Sequence, residues 1–91
     1  MTTYLVEAYM PKTIDVAEVE SRVREAAAEL AGPNAEVRYL RSIFVPDDEL
    51  CMHLFDADSV EAVSEVTRRA GISADRIAEA ASSANQGTEG P

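Results

Sequence analysis

The chain has one histidine, His53, and one cysteine, Cys51, two residues apart in the run LCMHLF from Leu50 to Phe55. Imidazole titrates nearest neutrality, and imidazole and thiolate both ligate divalent transition metals. If the chain turns tightly at Pro46 to Glu49, Val45 faces Leu50, and counting back sets Phe44 opposite Cys51, Ser42 opposite His53 and Leu40 opposite Phe55. A histidine against a hydroxyl suits half a metal site or a proton-transfer pair, and equally a satisfied core or interface histidine. Cys51 by itself reads as a small buried apolar group, because a nucleophilic thiol needs a base or positive charge beside it. Glu7 interrupts an apolar strand, and a carboxylate buried there must be paired, protonated or bound to something. Arg41 is the expected ion-pair partner; the alternative makes Glu7 a general base or metal ligand beside Tyr9, Tyr39 and His53. The candidate ligand-binding set is therefore Glu7, Tyr9, Ser42 and His53, with Glu7 and His53 as the candidate metal ligands. Asp47, Asp48 and Glu49 are adjacent carboxylates, but calcium loops spread their ligands over a longer loop with a glycine, so they read as a solvated turn.

Strands and helices of a particular order must position these residues. YLVEAYM, from Tyr4 to Met10, is aromatic, β-branched or apolar apart from Glu7, and Pro11 stops it, which predicts a first strand. Asp15 stands three residues before Glu18, the capping-box spacing, and Val16, Val19, Val23, Ala26 and Leu30 recur at steps of three and four. They predict an amphipathic helix ended by Gly32-Pro33. Glu36 to Val45 and Leu50 to Phe55 predict a hairpin, because the intervening proline presets φ and the aspartates bond nearby backbone. Asp58 and Glu61 repeat the capping spacing, Val60, Val63, Val66 and Ala70 form a second stripe, and Gly71-Ile72 predicts a left-handed C-cap. Arg76 to Ala80 is a short fourth strand. Glu18 with Arg22, Glu20 with Arg24 and Glu65 with Arg69 are i,i+4 pairs expected on helix exteriors. The segment 82–91, SSANQGTEGP, is small and polar and is expected to be a flexible tail after a single domain over 1–81.

Strand-helix-strand occurs twice, each crossover right-handed, so the expected fold is an α+β ferredoxin-like β-α-β-β-α-β sandwich: a four-stranded antiparallel sheet with two helices on one face. The hairpin offers apolar residues to both faces, Leu40, Phe44 and Phe55 to one, and Tyr39, Ile43, Val45, Leu50, Met52 and Leu54 to the other. Two helices cover one face only. A second copy packed sheet to sheet covers the other, which predicts a homodimer with a closed or partly closed α/β barrel between subunits.

Composition excludes several functions. Eight Lys and Arg against seventeen Asp and Glu, a net charge of -9, repel phosphate backbones, so no nucleic-acid partner is expected. No run approaches the ~20 apolar residues of a membrane helix and the N-terminus lacks a secretory pattern, so the expectation is a cytoplasmic protein without a membrane partner. One cysteine makes no intramolecular disulfide and no two-thiol metal site within one subunit, which leaves the core, a metal or a partner subunit to hold a chain of 91 residues. No basic aromatic RNA-binding strand, glycine-rich phosphate loop or nucleophile elbow occurs.

YLVEAYMP at the start, YLRS from Tyr39 and DDELCMHLFDADSVEAVSEVTRRAGISADRIAEA from Asp47 to Ala80 together resemble a small bacterial family of unknown function with a ferredoxin-like fold. Its named members are called nickel-binding or nickel-responsive proteins. The most specific piece is SVEAVSEVTRRAGISADRI, a helix, an Arg-Ala-Gly stop and an Asp-x-Ile strand start. The resemblance implies a dimer and, in the metal-binding members, nickel held by histidines on the first strand and near the chain's end. Here those regions carry Ala8, Tyr9 and Ala78, and His53 stands where relatives often place a cysteine. With one imidazole per subunit, nickel would need Glu7, Glu79 or Cys51 as co-ligands, or two His53 residues across a dimer axis.

The function expected from these features is non-catalytic binding of a small ligand or a nickel-type divalent metal by a homodimer. The alternative is a small cofactor-free enzyme, an isomerase or monooxygenase in architecture, in which Glu7 or His53 moves a proton in a pocket between the sheet and the partner.

Overall fold

The computed structural model describes residues 1–32 and 36–81. The expected tail, 82–91, lies outside them. The elements are β1 (Thr2–Tyr9), α1 (Val16–Leu30), β2 (Val37–Val45), a 3-10 turn (Pro46–Asp48), β3 (Leu50–Ala57), α2 (Val60–Arg69) and β4 (Arg76–Glu79). The strands lie in the order β2-β3-β1-β4, all antiparallel, which places the chain's first and third strands at the centre. This is the ferredoxin-like α+β sandwich that the element order predicts.

α1 starts where the sequence says it should: Asp15 is extended and its Oδ1 accepts from the Glu18 N–H at 3.3 Å. In α2 the cap is Ser59, not Asp58. The Asp58 N–H donates to the Glu36 carbonyl at 3.1 Å, which keeps that residue tied to the strand end, and Ser59 Oγ accepts from the Ala62 N–H at 3.2 Å. The other end of α2 closes as expected, because Gly71 at φ 73 lets its N–H reach the Arg68 carbonyl (3.1 Å) while Ile72 N–H reaches Thr67 (2.9 Å). Gly71→Ala costs about 1 kcal/mol by strain alone, measured as a shift in urea midpoint, since a Cβ there meets only Arg22 Nη1 at 3.6 Å.

The core lies between the helices and one sheet face. Val19, Val23 and Ala26 from α1, and Val63 and Val66 from α2, pack on Tyr4, Val6 and Ala8 of β1, Phe55 and Ala57 of β3 and Val37 of β2. Full burial of each large apolar side chain contributes about 1.5–3 kcal/mol. α1 packs on β2, and this brings Glu20, in its second turn, near Tyr39 and His53.

The hairpin register matches the expected pairs Val45–Leu50, Phe44–Cys51 and Ser42–His53. It departs from expectation at Leu40. A bulge between Tyr39 and Arg41 inserts Leu40 as an extra residue, so Tyr39, not Leu40, lies opposite Phe55. One added residue reverses the facing of everything before it in a pleated strand. Tyr39 thus joins the helix-covered face, its ring 5.5 Å from that of Phe55, and Leu40 is left 41% exposed.

No helix among the described residues covers the other sheet face. Leu5, Glu7 and Tyr9 of β1, Leu50, Met52 and Leu54 of β3, and Arg41, Ile43 and Val45 of β2 point there, half-buried or exposed. Thr3, Arg38 and Asp56 form a polar rung at its end, with Thr3 Oγ1 donating to Asp56 Oδ1 at 2.7 Å and Arg38 Nη2 donating to Oδ2 at 3.3 Å.

Candidate functional site

Alternation along β3 sends Cys51, His53 and Phe55 inward, and His53 is fully buried between the sheet and α1. Across the ladder, Ser42 Oγ lies 2.5 Å from His53 Nδ1. The same oxygen lies 2.5 Å from the Tyr39 hydroxyl, which donates onward to Glu20 Oε2 at 3.2 Å. Arg24, one turn along α1, lies over the Tyr39 ring at 5.2 Å. A continuous hydrogen-bonded chain therefore runs from a half-buried carboxylate on the helix to the single histidine in the core. His53 Nε2, at the far end, is buried and has no hydrogen-bond partner among the described residues.

Burial lowers His53 from 6.5 to about 4, and the nearby Glu20 carboxylate only partly opposes this, so the ring is neutral at physiological pH. Burial likewise pushes the Cys51 thiol up, with Glu20 adding to the effect, which keeps it a protonated core group rather than a nucleophile. Tyr39 is raised too, by burial first, while its bond to Ser42 works the other way.

The sheet divides the four predicted residues. Ser42 and His53 share the covered face and touch; Glu7 and Tyr9 lie on the open face, with the backbone between. The expected Glu7–Arg41 pair does not form, because Arg41 is on β2 at the sheet edge and Glu7 pairs with Arg76 directly across on β4, Nη1 to Oε2 3.7 Å. Tyr9 is 67% exposed and lines a shallow depression with Met10, Pro11, Asp48 and Glu49. The acidic turn is structural: Glu49 is left-handed at φ 50, its carbonyl accepts from the Met10 N–H at 2.7 Å, and Lys12 lies 4.0 Å from Asp47. Among the described residues no three His, Cys, Asp or Glu side chains are grouped to hold a metal ion.

Tyr39 and Glu20 are the members of the chain that pattern reading placed elsewhere. Glu20 and Arg24 have the spacing of an exterior ion pair, yet both turn to Tyr39, whereas Glu65–Arg69 does form at 2.9 Å. The one sequence signal was the phenol at position 39 beside the Ser42–His53 rung, and the bulge hid its facing.

This arrangement sits on a recognisable frame. Residues 4–80 match the profile of the family described as nickel responsive protein SCO4226-like, which is nearly the whole described chain. The chain belongs to that family. A solved structure agrees on the fold: SCO4226 from Streptomyces coelicolor A3(2) superposes with a TM-score of 0.73 at 20% identity, covering 86% of this chain and 94% of that one. No curated protein sequence matches the chain. In this member of the SCO4226-like family no helix among the described residues is long and apolar enough to cross a membrane.

Proposed function

We propose that the protein is a non-catalytic binding protein that acts in the cytoplasm as a homodimer and holds a small ligand or a nickel-type divalent cation between two open sheet faces. The observation that carries this reading is the open face itself. Leu5, Ile43, Val45, Leu50, Met52 and Leu54 surround Glu7 there, and Ile43 is 41% exposed. A largely apolar face with the Glu7–Arg76 pair inside it is the composition of an interface with polar groups kept within it. Membership in a nickel responsive family supports a metal as the ligand class.

The described donors of one chain do not by themselves fit nickel. His53 and Cys51 are on the covered face, Glu7 is on the other, and Arg76 stands 3.7 Å from Glu7. A cation on the open face therefore needs donors from both copies, with Glu7 supplied twice around the two-fold axis.

Sedimentation equilibrium on the tag-free protein is expected to give twice the chain mass, and Met52→Glu, which places a charge at the centre of the face, is expected to give a folded monomer. Equilibrium dialysis against nickel, copper, zinc and cobalt, with metal and subunits counted by elemental analysis, is expected to retain nickel in the wild type and in His53→Gln but not in Glu7→Gln. A bound ligand at ~100 times its Kd adds about 2.7 kcal/mol of stability, visible as a rise in Tm. A monomeric wild type overturns the dimer. Absence of both retained metal and any Tm rise across a panel of metals and metabolites overturns the binding role.

A further inference from the structure

The buried chain Glu20–Tyr39–Ser42–His53 lies on the opposite side of the sheet from the face just discussed, and nothing in the metal reading uses it. Its proton positions follow from counting. There are three contacts, Glu20 to Tyr39, Tyr39 to Ser42 and Ser42 to His53, and each needs one proton between its two heavy atoms. The carboxylate of Glu20 offers only lone pairs, so the single phenolic proton of Tyr39 goes to it. The Tyr39 oxygen must then accept from Ser42, which uses the one hydroxyl proton of that residue. Ser42 Oγ in turn accepts, and the donor is Nδ1–H of His53. The opposite polarity leaves Glu20 facing the Tyr39 oxygen with no proton between them.

We infer that Glu20, Tyr39 and Ser42 are positioning residues that hold His53 as its Nδ1–H tautomer and present Nε2 as a buried lone-pair acceptor, suited to an X–H donor and closed to anions and carbonyls. The logic is that of metal-binding and catalytic histidines, where the partner of one ring nitrogen decides what the other can do. Nε2 has no partner among the described residues, a condition that a buried acceptor in a folded protein rarely keeps. The register brings no other polar side chain to the covered face at this level, since β1 contributes Val6 opposite His53 and the next inward positions on β3 are Cys51 and Phe55.

Because the sequence has one histidine, its ring nitrogens are assigned without ambiguity. Long-range 1H–15N spectra of the metal-free, uniformly 15N-labelled protein at pH 7 are expected to show a protonated nitrogen at Nδ1 and an unprotonated one at Nε2. Glu20→Gln is expected to release the ring into a mixture containing the Nε2–H form, because the amide can donate to Tyr39 and allow the chain to run backwards. Glu20 is only half-buried on a helix, so this variant keeps the fold, verified by its amide spectrum. A wild-type ring in the Nε2–H form, or a tautomer unchanged in Glu20→Gln, overturns the inference.

Discussion

Between pH 6.5 and pH 4 the protein is expected to lose about 3 kcal/mol of folding stability through His53 alone. In the folded state burial holds the ring at about 4, whereas the unfolded chain takes up the proton at the ordinary 6.5. The unfolded state binds more protons in that window, so stability rises with pH across it. The contribution is therefore complete above pH 6.5 and is lost as pH falls toward 4, at ~1.36 kcal/mol per pH unit where the ring is fully discriminating. The charged groups near the ring are few: Glu20 from α1 favours the proton, and β1 places Val6 there and β2 Ser42. Urea unfolding of wild type and His53→Leu at half-unit steps from pH 7.5 to 4 isolates the effect, because carboxylates elsewhere titrate alike in both. The difference between the two curves is expected to bend down below pH 6.5. A constant difference would show that the ring protonates as readily in the fold as out of it.

Phe55→Ala is expected to cost on the order of 3–5 kcal/mol, the usual result of deleting a fully buried aromatic side chain. A domain of this size typically has about 5–15 kcal/mol in total, so the variant retains a marginal fold at best. Phe55 is the largest fully buried side chain among the described residues and sits on the central strand pair, within the core cluster. Its ring also contacts Tyr39 at 5.5 Å, tilted by 53°, so the deletion loosens the phenol that joins Glu20 to Ser42. Phe55→Leu keeps most of the apolar volume and is expected to recover most of the stability. Urea midpoints for the pair, at pH 7, provide the measurement; a loss below 1 kcal/mol in Phe55→Ala would mean that the core is not organised around this ring.

Much of the frame was legible because it depends on short-range chemistry. The Asp15 cap, the Gly71-Ile72 stop and the buried Val19, Val23, Val63 and Val66 on α1 and α2 are decided within a few residues of chain and formed as their residue types require, whereas Val60, expected in the second stripe, stands 39% exposed in the first turn of α2. The Ser42–His53 rung was legible for a related reason: a short turn fixes the register of the residues nearest to it, and those rungs lie within a few positions of Pro46.

The sequence by itself thus determined the order β-α-β-β-α-β, the two-faced hairpin, the hydroxyl opposite the single imidazole, and membership in a family through nearly all its described length. Only the tertiary structure decided which other functional groups meet. A pleated strand reverses facing with every residue, so the bulge at Leu40 carried Tyr39 to the covered side, and nothing in the local composition marks that extra residue. The path of α1 over the hairpin turned Glu20 from an apparent surface charge into the end of a buried chain, since a helix's neighbours are set by packing rather than by its own spacing. Strand order set Arg76 rather than Arg41 beside Glu7, because β4 and not β2 flanks β1. The sheet, finally, divided Glu7 from His53: residues close in type and plausible as partners lie on opposite faces, where side chains of one protomer cannot reach each other through a hydrogen-bonded backbone.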